Sequence, residues 1–239
     1  MGSNEPDTSQ IATASGELFY RDERNVYRAA ALDALPWLDH GFGTRLSDRW
    51  VSSPYAWVRQ IHSGICIAAN GEGGYLGEGD CLLTATPGLH LTIRTADCVP
   101  ILLADSEHRA VAAVHSGCRG AAQNIAANAV AAMRSHFRSS PGGLVAAIGP
   151  GICGKCYEVG PEVARQFSQW FPALENVQTA ARIDLSEIVR TQLARAGLDP
   201  ARIISGAPCT FCRSSEFHSW RRDHIQGVRM VSAIRIRPA

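Results

Sequence analysis

LTIRTADCVPILLADSEHRAVAAVHSGCRGAAQNIAANAVAAMRSH, residues 91–136, changes its apolar period partway along, and that change decides the fold. Leu91 to Ala96, Ile101 to Ala104 and Val111 to His115 are apolar runs of strand length bounded by turn residues. From Gly120 onward the repeat lengthens: Ala122, Ile125, Ala126, Ala129, Ala132, Met133 and His136 share one helical face, with Asn124 and Asn128 outside it. Strands therefore give way to a helix. Downstream, Leu144 to Ile148, Ile203 to Ser205 and Val228 to Ile234 are further strand candidates. They interleave with a helix over Pro161 to Trp170 and another opening at Asp184, where Glu187 completes a capping-box-like pair, and closing at Gly197.

Upstream, Val58 to His62 and Ile65 to Ala68 read as two β segments across a tight turn at Ser63-Gly64, and Ala29 to Leu38 as a short helix ended near Pro36. Asn70 to Gly79 holds five glycines and reads as a loop. The alternation of strand and helix defines a single layered α/β/α domain with a mixed β-sheet, spanning 17–239 behind a polar, flexible lead-in over 1–16. At 239 residues, with 46% hydrophobic and 19% charged positions, the chain has the means to bury one large core, which excludes wholesale disorder and a coiled coil. A formal charge of +1 supplies no global field for nucleic acid or an anionic membrane. The lead-in lacks the basic start and apolar stretch of a secretory signal, and no apolar run reaches the roughly 18 residues of a membrane span. The expectation is a cytoplasmic protein with reduced thiols.

Eight Cys and eight His raise the question of metal, redox or nucleophilic chemistry. Cys153/Cys156 and Cys209/Cys212 have the Cys-x-x-Cys spacing, but about 52 residues separate the pairs, against roughly 15–20 in a zinc ribbon. They read as buried thiols, with a structural zinc as the alternative. Pro208-Cys209-Thr210-Phe211-Cys212 also copies half of the zinc deaminase signature, yet no His is followed two residues later by Glu.

Three other segments place metal-competent side chains where strands give out: Gln60-Ile-His62, Thr95-Ala-Asp97-Cys98-Val-Pro100 and Val114-His115-Ser-Gly-Cys118-Arg119-Gly120. Two imidazoles and one thiolate suit zinc, and three protein ligands leave a fourth position open. Residue type alone leaves open whether His62, Cys98 and His115 converge, since a His at a strand end also serves as a hydrogen-bonded structural residue and a cytosolic Cys as a small hydrophobe. The Gly-bracketed turn before the helix, with Arg119, is a candidate anion site.

These segments resemble the YfiH-type proteins, a family also labelled laccase-domain, polyphenol-oxidase-like and purine nucleoside phosphorylase. The likeness runs from about His40 through His40-Gly-Phe-Gly-Thr-Arg45, Gln60-Ile-His62, Asp80-Cys-Leu-Leu-Thr84, Thr95-Ala-Asp97-Cys98-Val-Pro100 and Val114 to Gly120. It continues through Ile148-Gly-Pro-Gly-Ile152, Cys156-Tyr-Glu-Val159, Cys209-Thr210 and Phe217-His-Ser-Trp-Arg-Arg222. The resemblance implies that His62, Cys98 and His115 are zinc ligands at an active site, and that Arg45, Asp80, Arg119 and Arg222 contact substrate or phosphate. It implies phosphorolysis of purine nucleosides, methylthioadenosine included, and deamination of adenosine, with Asp80 or Asp97 as proton shuttles. Cys118 stands where the family usually has Trp, and Trp220 where Tyr is more common, so the pocket wall differs.

Rival readings remain. A multicopper oxidase needs around ten His, many in His-x-His pairs, whereas this chain has eight and no such pair. Cys98 with His115 or His62 as base would make a metal-independent cysteine hydrolase, and some relatives suggest editing of cell-wall precursors. A non-enzymatic nucleotide-binding module would be marked by loss of the site residues, yet all three are present. Oligomeric state is not legible.

Overall fold

The computed structural model describes residues 17–47 and 49–238; the lead-in over 1–16 lies outside them. In chain order the strands are β1 (Phe19–Arg21), β2 (Val26–Ala29), β3 (Leu38–Gly43), β4 (Tyr55–Arg59), β5 (Cys66–Ala68), β6 (Gly74–Glu78), β7 (Cys81–Thr84), β8 (His90–Thr95), β9 (Val99–Asp105), β10 (Ala110–Ser116), β11 (Leu144–Ile148), β12 (Glu158–Val159), β13 (Ala181–Arg182), β14 (Ile203–Ile204) and β15 (Met230–Ile236). The helices are α1 (Ala30–Asp33), α2 (Cys118–Ala122), α3 (Ile125–Phe137), α4 (Pro161–Ala164), α5 (Leu185–Arg195) and α6 (Trp220–Asp223).

Two mixed sheets result. A seven-stranded sheet runs β1-β2-β3-β15-β8-β4-β6 and a six-stranded sheet β14-β11-β9-β10-β7-β5, with β12 and β13 a separate pair. In the first, β4 is parallel to β6 and β8 while β15 is antiparallel to β3 and β8. In the second, β9 is antiparallel to β10 and β11, and β11 is parallel to β14.

The period of two along β9 shows what covers each face. Val99, Ile101 and Leu103 pack with Ile125, Ala129 and Met133 of α3 and Ile188 of α5. Leu102 and Ala104 pack with Phe42, Leu91, Ile93 and Ile234 of the other sheet. The six-stranded sheet is thus the middle of three layers, which is why all of β9 and β10 is buried. Removing each Val, Leu or Ile side chain among them from water is worth roughly 1.5–3 kcal/mol. Phe42 of the seven-stranded sheet packs directly on Gly149, where an added Cβ would stand 2.2 Å from its Cδ1.

The mixed α/β class therefore stands, with the layers ordered helix, sheet, sheet rather than α/β/α. A strand buried on both faces is apolar throughout whether a helix or a second sheet covers it. The helix over 184–197 appears as α5, its N-cap Asp184 accepting from the backbone N–H of Ser186 and Glu187. The helix anticipated from Gly120 is split: α2 ends before Asn124, which takes φ +61° and redirects the chain into α3. That over 161–170 shortens to α4 and a 3-10 turn. Val58 to Ala68 is no hairpin, because β4 and β5 belong to different sheets. The glycine-rich stretch after Asn70 contains β6, paired parallel to β4. Among the described residues no helix is long and apolar enough to cross a membrane.

Candidate active site

Three connections carry the chain from the seven-stranded to the six-stranded sheet at one end of the sandwich: β4 to β5, β6 to β7 and β8 to β9. His62 lies on the first, Asp80 on the second and Cys98 on the third. His115, near the end of β10, is paired in register with Pro100 and so reaches the same corner. His62 and Asp97 take φ of +59° and +80°, a left-handed backbone that side-chain-bearing residues seldom adopt. Such conformations need firm anchors.

Asp80 is the first anchor. It is fully buried; one carboxylate oxygen accepts from Ser63 N–H at 2.6 Å and Ser63 Oγ at 2.7 Å, the other from His62 N–H at 3.1 Å and His115 Nδ1 at 2.7 Å. Burial alone would raise its pKa, but these donors, His115 foremost, hold it at about 2. Asp97 is the second anchor: it accepts from Thr210 Oγ1 at 2.6 Å, Ser219 Oγ at 2.9 Å and Arg221 N–H at 2.7 Å, locking the peptide before Cys98.

The outcome is a cluster in which one donor atom each from His62, Cys98 and His115 lies within 4.8 Å of the others. Cys98 Sγ stands 4.0 Å from His62 Nε2, and the two imidazoles meet edge to face at 4.9 Å between centroids. Because Asp80 engages Nδ1 of His115, Nε2 is the nitrogen left to meet a metal, which would take it in its deprotonated form. Burial would push the Cys98 thiol up, yet His115 and His62 draw it down to about 6. Burial would likewise lower His115, yet Cys98 and Asp80 lift it to about 9. The donor set fits one tetrahedral metal with an open fourth position.

This cluster lies in a cleft of about 1050 Å³. Arg119, Arg221, Arg94, Arg59 and Arg229 contribute cations to its lining, and Trp57, Tyr75, Tyr157 and Trp220 its aromatic walls. Trp57 and Tyr75 lie 4.8 Å apart as exposed rings, and the Arg221 guanidinium stacks on Tyr157 at 4.9 Å. Cys118 lines the cleft beside Arg119 but is not among the grouped metal donors.

The other sequence candidates divide. Arg119 faces the cleft, but Arg45 and Arg222 do not line it. Arg45 donates to Ser214 O, and Arg222 to Thr210 O, Phe211 O, Phe217 O and, bidentately, Asp223. Arg222 has no donors left for substrate, so it is part of the scaffold. Asp80 corrects likewise, from substrate contact and proton shuttle to buried organiser. Asp97, engaged by three donors, is no free shuttle. Sequence reasoning missed Arg221 and the anchors Thr210 and Ser219, all inside or beside segments that carried the resemblance.

Residues 44–237 match the family model described as multi-copper polyphenol oxidoreductase laccase, and the chain belongs to that family. Among its relatives is a purine nucleoside phosphorylase of Deinococcus radiodurans, 37% identical over 190 residues covering 77% of this chain and 71% of that one. Another is adenosine deaminase RL5 from an unknown prokaryotic organism, 35% identical over 65% of this chain and 61% of its own. The crystal structure of Bacillus licheniformis hypothetical protein YfiH superposes with a TM-score of 0.81 at 24% identity, over 92% of this chain and 99% of that one, and so shares the fold.

Proposed function

We propose that this chain is a zinc-dependent purine nucleoside phosphorylase that also accepts methylthioadenosine and deaminates adenosine. The observation that carries the reading is the convergence of His62, Cys98 and His115 in a cleft bordered by Arg119 and Arg221. Relatives named purine nucleoside phosphorylase and adenosine deaminase support it. His62, Cys98 and His115 would hold the ion, which, when bound, lowers the pKa of its water to about 7 and so makes hydroxide available for deamination. Asp80 fixes the tautomer of His115 and the loop of His62. In phosphorolysis an oxygen of phosphate forms a bond to the ribose anomeric carbon as the bond to the purine nitrogen breaks. Arg119 and Arg221 bind and orient that phosphate through charge-assisted hydrogen bonds. The exposed rings of Trp57 and Tyr75 offer a face on which a purine stacks.

Chromatographic analysis of products tests this. Adenosine with phosphate is expected to give adenine and ribose phosphate, and adenosine without phosphate to give inosine. Arg119→Ala is expected to raise the phosphate KM by about tenfold, matching the loss of one hydrogen bond to a charged group, while leaving inosine formation near its original rate. Equal loss of both reactions would place Arg119 outside phosphate binding.

The Cys98, His115 and Asp80 chain also supports a second reading, a cysteine hydrolase in which His115 serves as base and Asp80 orients it. Inactivation by iodoacetamide together with full activity after chelation would favour it over the zinc enzyme.

A further inference from the structure

The two Cys-x-x-Cys pairs, which spacing alone marks as buried thiols, come together beside Ile152 and Tyr157 of the cleft lining. The Sγ atoms of Cys153, Cys156, Cys209 and Cys212 all lie within 4.8 Å of one another, and Cys156 and Cys212 approach to 3.4 Å. We propose that these four cysteines bind a structural zinc ion, separate from the His62, Cys98 and His115 cluster, which clips the loop after β11 to the loop before α6.

The geometry is that of a closed tetrathiolate site. Four sulfurs at about 2.3 Å from a tetrahedral zinc stand about 3.8 Å apart along each edge, so the observed cluster is already near the size the ion needs. All eight cysteines of the chain are free thiols. Burial does not explain the grouping, because Cys212 is exposed and the other three are only half-buried. Apolar packing would hide such side chains rather than gather them at the surface.

The backbone around them is shaped for ligation. Cys156 N–H donates to Cys153 O at 2.9 Å and Tyr157 N–H to the same oxygen at 3.0 Å, closing one turn; Arg213 N–H donates to Cys209 O at 3.1 Å, closing the other. A parallel bridge between Gly151 and Cys209, with Thr210 N–H donating to Gly151 O at 3.1 Å, sets the turns side by side. Cys153 N–H points at Cys209 Sγ, 3.3 Å away, a contact that stabilises a thiolate. With four protein ligands no position stays open for substrate, which marks the site as structural. The long separation that argues against a zinc ribbon is what a clip between two distant loops requires.

The clip has a consequence for the cleft. The first turn is flanked by Ile152 and Tyr157, which line it, and the second contains Thr210, which holds Asp97. Zinc would thereby position the wall and the peptide that carries Cys98 without touching substrate.

Metal analysis of the purified full-length chain tests the proposal. Wild-type protein is expected to carry two zinc ions per chain, His62→Ala/His115→Ala one, and Cys156→Ser/Cys212→Ser one. Cobalt substituted into His62→Ala/His115→Ala should show the intense thiolate charge-transfer and visible bands of tetrahedral tetrathiolate coordination. In wild-type protein, mass spectrometry after alkylation should find the four cysteines protected together and released together by chelator, a readout that needs no variant to fold. No metal in His62→Ala/His115→Ala, iron in place of zinc, or disulfides among the four sulfurs would each overturn it.

Discussion

At Asp80 one carboxylate sets the posture of two candidate ligands. Asp80→Asn keeps the size but replaces one acceptor oxygen with a donor, so either the Ser63 N–H and Oγ–H or the His62 N–H and His115 Nδ1–H lose their acceptor. Removing such a support from a metal-bound His typically costs 10–100-fold in affinity. Competition with a chromogenic chelator should show a loss of that order in Asp80→Asn; unchanged affinity would mean that Asp80 serves folding alone. His40 carries a second residue-scale prediction. Its ring is buried in β3, where Nε2 accepts from Ala29 N–H at 2.9 Å, and burial, with the Arg28 charge next, depresses its pKa to about 3. Its ordinary value is about 6.5, so the unfolded chain gains a proton there first as pH falls. The stability contributed by neutral His40 is complete above about pH 6.5 and declines toward pH 3. His40→Gln keeps an acceptor for Ala29 and cannot titrate. Denaturant unfolding should show wild type losing stability faster than His40→Gln between pH 7 and pH 4, by a few kcal/mol at most; parallel curves would contradict the assignment. Asp39, whose burial is outweighed by Arg28 and Arg235 so that it is held below its usual range, titrates in both proteins.

The site is made by connections between elements rather than by any one element. That origin explains what sequence could and could not show. His62, Cys98 and His115 were legible one by one as polar residues at the ends of apolar runs. Their convergence was not, because it depends on β4, β6 and β8 lying in one sheet and β5, β7 and β9 in the other. Asp80 looked like a substrate contact for the same reason: only the fold reveals that Ser63 and His115 surround it. Arg221 and Arg222 are adjacent in the chain, and no period distinguishes the one in the cleft from the one bonded to the scaffold. The turn from β10 into α2 offers the element-scale test. A Cβ at Gly117 would stand 2.7 Å from His62 Cδ2 and 3.0 Å from Cys98 Sγ, although its φ of −80° suits alanine. Gly117→Ala should therefore fold with a melting temperature within a few degrees of wild type yet lose metal affinity tenfold or more. Wild-type affinity by calorimetric titration would show that the ligands do not meet at this glycine.

Across the described residues, two sheets and a helical layer bury two apolar cores, one on each face of the six-stranded sheet, and one end of the sandwich is left to loops that carry the candidate site. The mixed α/β class could be read from the change of period after Gly120, whereas the layer order could not, since Ile101 to Ala104 is apolar on both faces and names neither cover. The convergence of the cysteine pairs was not legible in sequence for a related reason: a spacing rule built on local ribbons says nothing about loops joined through a β bridge. The central claim is that the His62, Cys98 and His115 cluster works as a zinc site on purine nucleosides. The most direct measurement is zinc titration into chelator-stripped protein with adenosine consumption followed in parallel. Turnover should rise with occupancy of this cluster and reach its plateau when it is full, and His115→Ala should show none at any zinc concentration. Full turnover in stripped protein, or in His115→Ala, would contradict the account.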